Sequence, residues 1–217
     1  MKYALLLLLL PSIYADISYS SKKLLLKLDL SEDRKLEKSK VYFPANGTHW
    51  FIKNGVLIGQ GSTPDELAEA KKAGKKYAAN NVPRLKFFRK TGTPKNIMIE
   101  CSFMIKGGKT TNLVPMIESG HHRRRIYFSE KGIELIGYGK DGKNTLDKST
   151  EKIERNKWYD IKMVIKADQF DFYLNGKKHL SAKHQDIIIK DDDTQIAIAG
   201  PSKGEFQIKK LVIYEIK

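Results

Sequence analysis

The longest clean alternation of apolar and polar positions lies between Trp158 and Lys177. Ile161, Met163 and Ile165 alternate with Lys162 and Val164, and Phe170, Phe172 and Leu174 alternate with Asp171 and Tyr173. A period of two places one set on each face of a strand. Two half-buried antiparallel strands are therefore expected, joined by a polar turn over 166–169. Asn175-Gly176 follows as a second turn, because both residue types accept the left-handed backbone that a two-residue hairpin needs. The same rhythm predicts strands at 24–30, 49–52, 56–59, 84–88, 95–106, 112–118, 125–128, 132–138, 187–189, 195–199 and 206–216. Within the last, Phe206, Ile208, Val212, Tyr214 and Ile216 share a parity that Lys210 interrupts. Asn54-Gly55 closes a hairpin, and Gly107-Gly108 is expected to turn the chain. Segments 31–40 and 139–148 are expected as polar connections, and His179 and His184 as part of a polar loop.

One segment breaks the rhythm. Thr63 can cap a helix, Pro64 suits its first turn and Glu66 completes a capping box. Residues 67–79, rich in Ala and Lys, then predict a short surface helix that Pro83 ends. Many short strands with Gly and Asn turns and one inserted helix predict an all-β fold, a two-sheet antiparallel sandwich. The last strand is expected near the first, because domain termini are often close.

Composition changes this picture at the N-terminus. Lys2 precedes an apolar stretch with six consecutive leucines, Leu5 to Leu10. Pro11-Ser12 breaks it, and Ile13-Tyr14-Ala15 offers a small residue for cleavage. Residues 1–15 read as a secretory signal peptide, too short to span a bilayer. Cleavage near Ala15 would leave 16–217 as a single domain, secreted or periplasmic. No later run is apolar enough for a membrane span. Cys101 is the only cysteine, so no intrachain disulfide is possible. Its place among Ile97, Ile99, Phe103 and Ile105 reads as a small buried hydrophobe.

The formal net charge is +15. For an exported protein this favours anionic polysaccharide over nucleic acid as partner, although scattered lysines also fit a simply solvated basic surface. Asn46-Gly47-Thr48 fits a glycosylation acceptor or a turn. Asp191-Asp192-Asp193 lacks the spacing of a calcium loop and reads as a solvated turn.

The hairpin opened by Trp158 and closed by Asn175-Gly176 resembles the late hairpin of laminin-G-like and concanavalin A-like jelly rolls. Leu28-Asp29-Leu30, Trp50 and then Asn54-Gly55-Val56-Leu57-Ile58-Gly59 resemble the opening of secreted 3-keto-disaccharide hydrolase-like domains. Glu100 in a mid-chain strand, and Glu118-Ser119-Gly120 followed by Arg123, Arg124 and Arg125, look like the middle elements of that family. The resemblance implies a jelly roll that meets carbohydrate on one sheet. It also implies cleavage of 3-keto-glycosides by base-assisted elimination and hydration.

The candidate site follows from the densest chemistry on the chain. Glu118, His121, His122, Arg123, Arg124 and Arg125 fall within eight residues. His121 or His122 would serve as base, since imidazole titrates near neutral pH. Glu118 and Glu100 would supply carboxylates if their strands are neighbours facing one side. Arg123, Arg124 and Arg125 would bind anionic groups through paired N–H donors, and Tyr127 and Tyr138 would offer flat stacking faces. No cofactor is certain. A divalent metal held by Glu and His would suit enolate stabilisation. The alternative is a non-catalytic carbohydrate-binding or adhesion module. Retaining glucanase chemistry needs two carboxylates about 5 Å apart, and no strand carries a Glu-x-Asp-x-Glu pattern.

Overall fold

The computed structural model describes residues 21–45, 47–74, 81–89, 91–111, 114–120, 123–139, 142–188 and 195–217. The expected signal peptide, Asn46, the end of the expected helix, His121, His122 and Asp191 to Asp193 lie outside the described residues.

Two antiparallel sheets form a jelly-roll sandwich. The nine-stranded sheet has the order β14 (Lys177–Lys183), β13 (Gln169–Leu174), β12 (Trp158–Lys166), β7 (Ile97–Lys109), β16 (Ser202–Ile216), β5 (Val56–Gln60), β4 (His49–Lys53) and β2 (Arg34–Lys35). β1 (Lys22–Lys27) also pairs with β16. The seven-stranded sheet has the order β11 (Gly142–Ser149), β10 (Gly132–Gly139), β9 (Arg124–Ser129), β8 (Met116–Ser119), β15 (Ile196–Ala199), β6 (Arg84–Phe87) and β3 (Tyr42–Pro44).

Alternation decides which side chains meet between the sheets. Ile97, Ile99, Cys101, Phe103 and Ile105 of β7 face Ile117, Ile126, Phe128, Ile196 and Ile198 of the other sheet in one core. Phe103 stacks on Phe206 with centroids 5.1 Å apart and lies 5.1 Å from Phe128, so aromatic contact crosses the gap. Cys101 is 2% exposed, and burial pushes its thiol pKa well up, so it behaves as the expected small hydrophobe.

The hairpins follow their turn residues. Asn54 and Gly55 (φ 51° and 72°) join β4 to β5, and Asn175 and Gly176 (φ 47° and 81°) join β13 to β14. Trp50 and Gly59 are cross-strand partners. A Cβ at Gly59 would stand 2.5–2.7 Å from the indole ring, so only glycine leaves room for this buried tryptophan.

Several expectations are corrected. Within the expected 139–148 connection, Gly139 ends β10 and Gly142 opens strand β11, paired with β10. Gly107 and Gly108 do not turn the chain; they adopt positive φ while β7 continues to Lys109 beside β16. His179 lies on β14, and His184 caps a 3-10 turn over Gln185–Ile187, so the strand expected at 187–189 does not begin at Ile187. Arg34–Lys35 form a short strand within the charged connection. Helix α1 runs Pro64–Lys72, because Gly74 takes a left-handed conformation (φ 64°) just past its end. The single parity of the last strand fails because β16 slips register between Ile208 and Lys210. A bulge shifts every later residue to the other face, so Leu211 and Ile213 take the core. Val212 turns outward beside Tyr214 and Ile216, which join a small cluster with Met98, Val164 and Tyr173.

Candidate functional site

Because Ile117, Ile126, Leu135 and Ile198 point into the core, their neighbours on the seven-stranded sheet point away from it. Register aligns those neighbours in one row across the sheet. Phe43 pairs with Lys86, Lys86 with Ala197, Ala197 with Glu118, Glu118 with Arg125, and Arg125 with Ile136. The next row carries Arg84, Ala199, Met116, Tyr127 and Glu134. Tyr138 lies one row to the opposite side, on the same face as Ile136.

The row is an electrostatic assembly. Arg125 donates from Nη2 and Nε to Glu118 Oε2 at 2.7 and 3.1 Å. The two side chains are 3% and 2% exposed, so this is a buried ion pair. The Arg125 guanidinium sits 5.4 Å over the Tyr138 ring, and Arg123 Nη1 donates to the Tyr138 carbonyl at 2.8 Å. Across the small floor residues Ala197 and Ala199 stands Arg84. Burial lowers the Arg84 pKa below its ordinary value, and the neighbouring Glu118 opposes that shift while Arg125 adds to it. Arg84 Nε is buried without a hydrogen-bond partner. Among the described residues Glu118 thus has two guanidiniums as neighbours, Arg125 and Arg84.

The structure separates residues that the sequence grouped. Glu100 lies on β7 of the nine-stranded sheet and bonds Lys210 Nζ at 2.8 Å, while Glu118 lies on β8 of the other sheet. The expectation of two carboxylates on neighbouring strands is therefore corrected: the sandwich core stands between them. Arg124 shares the parity of Ile126 and points inward. It bonds Ser119 Oγ at 2.9 Å and the carbonyl of Lys95 at 3.2 Å, so it ties the seven-stranded sheet to the segment leading into β7 instead of reaching a substrate. Tyr127 lies on the outer face, but it is 7% exposed and its hydroxyl donates to the Thr111 carbonyl. Lys162, Asp171 and Tyr173 of the β12–β13 hairpin face away from the core on the nine-stranded sheet. His121 and His122 fall outside the described residues.

Sequence reading missed Arg84, Lys86 and Ala197. Their alternation with Leu85, Phe87 and Ile198 was visible, but only strand order brings them beside Glu118. Among the described residues no group of three His, Cys, Asp or Glu side chains is placed to hold a metal ion, and Arg125 already occupies the Glu118 carboxylate. His121 and His122, the imidazoles that a divalent metal there would need, lie outside the described residues. No helix among them is long and apolar enough to cross a membrane.

No protein-family model matches the chain, and no curated protein matches it in sequence. Solved structures do. SCLam, a non-specific endo-β-1,3(4)-glucanase from family GH16, superposes with a TM-score of 0.65 at 9% identity over 93% of this chain and 94% of its own. LamAcat from Zobellia galactanivorans gives 0.59 at 10% identity, covering 89% and 98%. A structure from work on endo-acting O-glycanases with which human gut microbiota initiate mucin breakdown gives 0.63 at 10% identity, covering 90% and 100%. At such identities the likeness shows the fold, a concanavalin A-like jelly roll.

Proposed function

We propose that the protein is an exported glycan-binding jelly roll whose site is the outer face of the seven-stranded sheet, and that it selects chains bearing carboxylate or sulfate groups. One observation carries this reading: half-buried Arg84, whose Nε has no hydrogen-bond partner, stands beside the Glu118–Arg125 ion pair, with the Tyr138 ring next to that pair. Guanidiniums present paired donors that suit planar or tetrahedral oxyanions, and an aromatic ring suits the C–H face of a pyranose. The glycan-directed neighbours of the same fold, the leader pattern of residues 1–15 and the net charge of +15 support the same reading.

Binding without hydrolysis is the better-supported form. Glu118 is held by Arg125, and Glu100 belongs to the other sheet, so this pair does not supply the acid and nucleophile of a retaining glycosidase. The 3-keto-glycoside elimination that the resemblance implies rests on a base at His121 or His122. Incubation with a 3-keto-glucoside decides it, and the binding reading expects the substrate to remain intact. The site itself is tested by titrating oligogalacturonate, a polyuronate, into wild type, Arg84→Gln and Tyr138→Ala. Loss of one charge-assisted bond, roughly 1.5 kcal/mol, weakens binding about tenfold. Equal affinity in all three would reject this face as the site.

A further inference from the structure

A concave region lies at the end of the nine-stranded sheet. After β5 the chain passes Gly61 and Ser62 into α1, which stands over the end of the nine-stranded sheet. Between them is a cavity of about 420 Å³ lined by Gln60, Pro64, Leu67, Asn81, Lys203 and Glu205, among others. Its walls are tied together. Lys203 N–H donates to the Asn81 carbonyl at 2.9 Å, and Gly61 approaches Asn81 so closely that a Cβ would stand 2.5 Å from its carbonyl carbon. Glu205 is the hub of the floor: it accepts from Gln60 Nε2 at 2.8 Å and Gln207 Nε2 at 2.6 Å, and Lys106 Nζ lies 3.7 Å away.

The cavity opens beside a stripe that runs across the strands. Trp158 pairs with Met104, Met104 with Gln207, Gln207 with Ile58, and Ile58 with Phe51. All face away from the core, and Trp158, Met104, Ile58 and Phe51 are partly exposed. Four inter-strand spacings make the stripe about 19 Å long. Lys209 Nζ sits 4.8 Å over the Trp158 ring, and Lys106 and Lys203 stand exposed beside the stripe and the cavity.

We infer that this cavity and stripe form a second glycan site, in which a terminal sugar enters the cavity and the chain lies along the stripe from Phe51 over Ile58 and Met104 to Trp158. The inference rests on the reading that the protein meets glycans, but it places the contact on the other sheet. The volume falls within the range of small-ligand sites, which combine apolar walls with a few placed polar groups. A carboxylate has more acceptor capacity than two amide donors use, so Glu205 can accept sugar hydroxyls while Pro64 and Leu67 meet a ring face. An apolar peptide or acyl chain there would bury the Glu205 carboxylate without replacing its water, which is costly. The exposed ammonium groups of Lys106 and Lys203 favour a chain with anionic substituents.

The test uses the same oligogalacturonate probe with three variants. Helix α1 has no buried residue, so Leu67→Trp fills the cavity without touching the core. Phe51→Ala removes one end of the stripe, and Arg84→Gln alters only the seven-stranded sheet. The inference predicts that Leu67→Trp and Phe51→Ala each weaken binding about tenfold or more, while a component of binding survives Arg84→Gln. Binding lost in Arg84→Gln and unchanged in Leu67→Trp and Phe51→Ala overturns this site and leaves the other face standing. Binding unchanged in Arg84→Gln and lost in Leu67→Trp keeps this site and rejects the other. Absence of binding by wild type contradicts both.

Discussion

Gly59 shows how much one missing methyl group can decide. Its Cα faces the Trp50 ring, and an added Cβ would overlap three ring atoms. Gly59→Ala is expected to destabilise the fold by about 1–3 kcal/mol, the usual cost of overpacking, read as a lower denaturation midpoint with unchanged slope. The Glu118–Arg125 pair makes the opposite point. Its side chains are almost fully buried, so the pair costs desolvation as well as gaining attraction, while removal of one partner strands a buried charge. Glu118→Gln is expected to cost about 3–5 kcal/mol in the same unfolding measurement. Replacing both with apolar residues of similar volume should cost less, and equal losses would show that the charges are not coupled.

Among the elements, α1 is held by its cap more than by packing. Thr63 accepts from the Glu66 N–H, and the Glu66 carboxylate accepts from the Thr63 N–H at 2.7 Å and meets His49 Nε2 at 3.0 Å. These contacts, the Thr63 N–H first and His49 second, hold the Glu66 carboxyl below its ordinary value. A depressed carboxylate stabilises the fold fully above its unfolded value, about 4.3, and loses that contribution as pH falls through the lower folded value. Amide exchange in α1 is therefore expected to speed up as pH drops below that range, after correction for the intrinsic rate. Thr63→Ala should loosen the helix by about 1 kcal/mol at neutral pH. Exchange that stays insensitive to acid would remove Glu66 from this role. The cap was legible in the sequence because its partners are three residues apart. So were both Asn-Gly hairpins and the Trp50–Gly59 pair, which one tight turn brings together. The bulge at Lys209 and Lys210 was not, because a register slip is set by the partner strand. For the same reason strand β11 passed for a loop: its residues, from Gly142 to Ser149, are exposed or half-buried, so no apolar alternation marks it.

For the whole molecule, sheet assignment controls function. Glu100 and Glu118 read as one site along the chain, and alternation correctly turned Glu100 away from its own core side. Only the strand order reveals that β7 and β8 belong to different sheets. The same order assembles Arg84 and Glu118, thirty-four positions apart by number, into one face. The chain therefore announced the jelly roll and half of the charged row, while the other half depended on long-range pairing. The most direct test is titration of oligogalacturonate against a neutral laminari-oligosaccharide, at low and high salt, with wild type and Arg84→Gln. The account predicts preference for the polyuronate, loss of that preference in high salt where charges are screened over about 3 Å, and about tenfold weaker polyuronate binding in the variant. Equal binding of both probes, unchanged by salt and by Arg84→Gln, would contradict it.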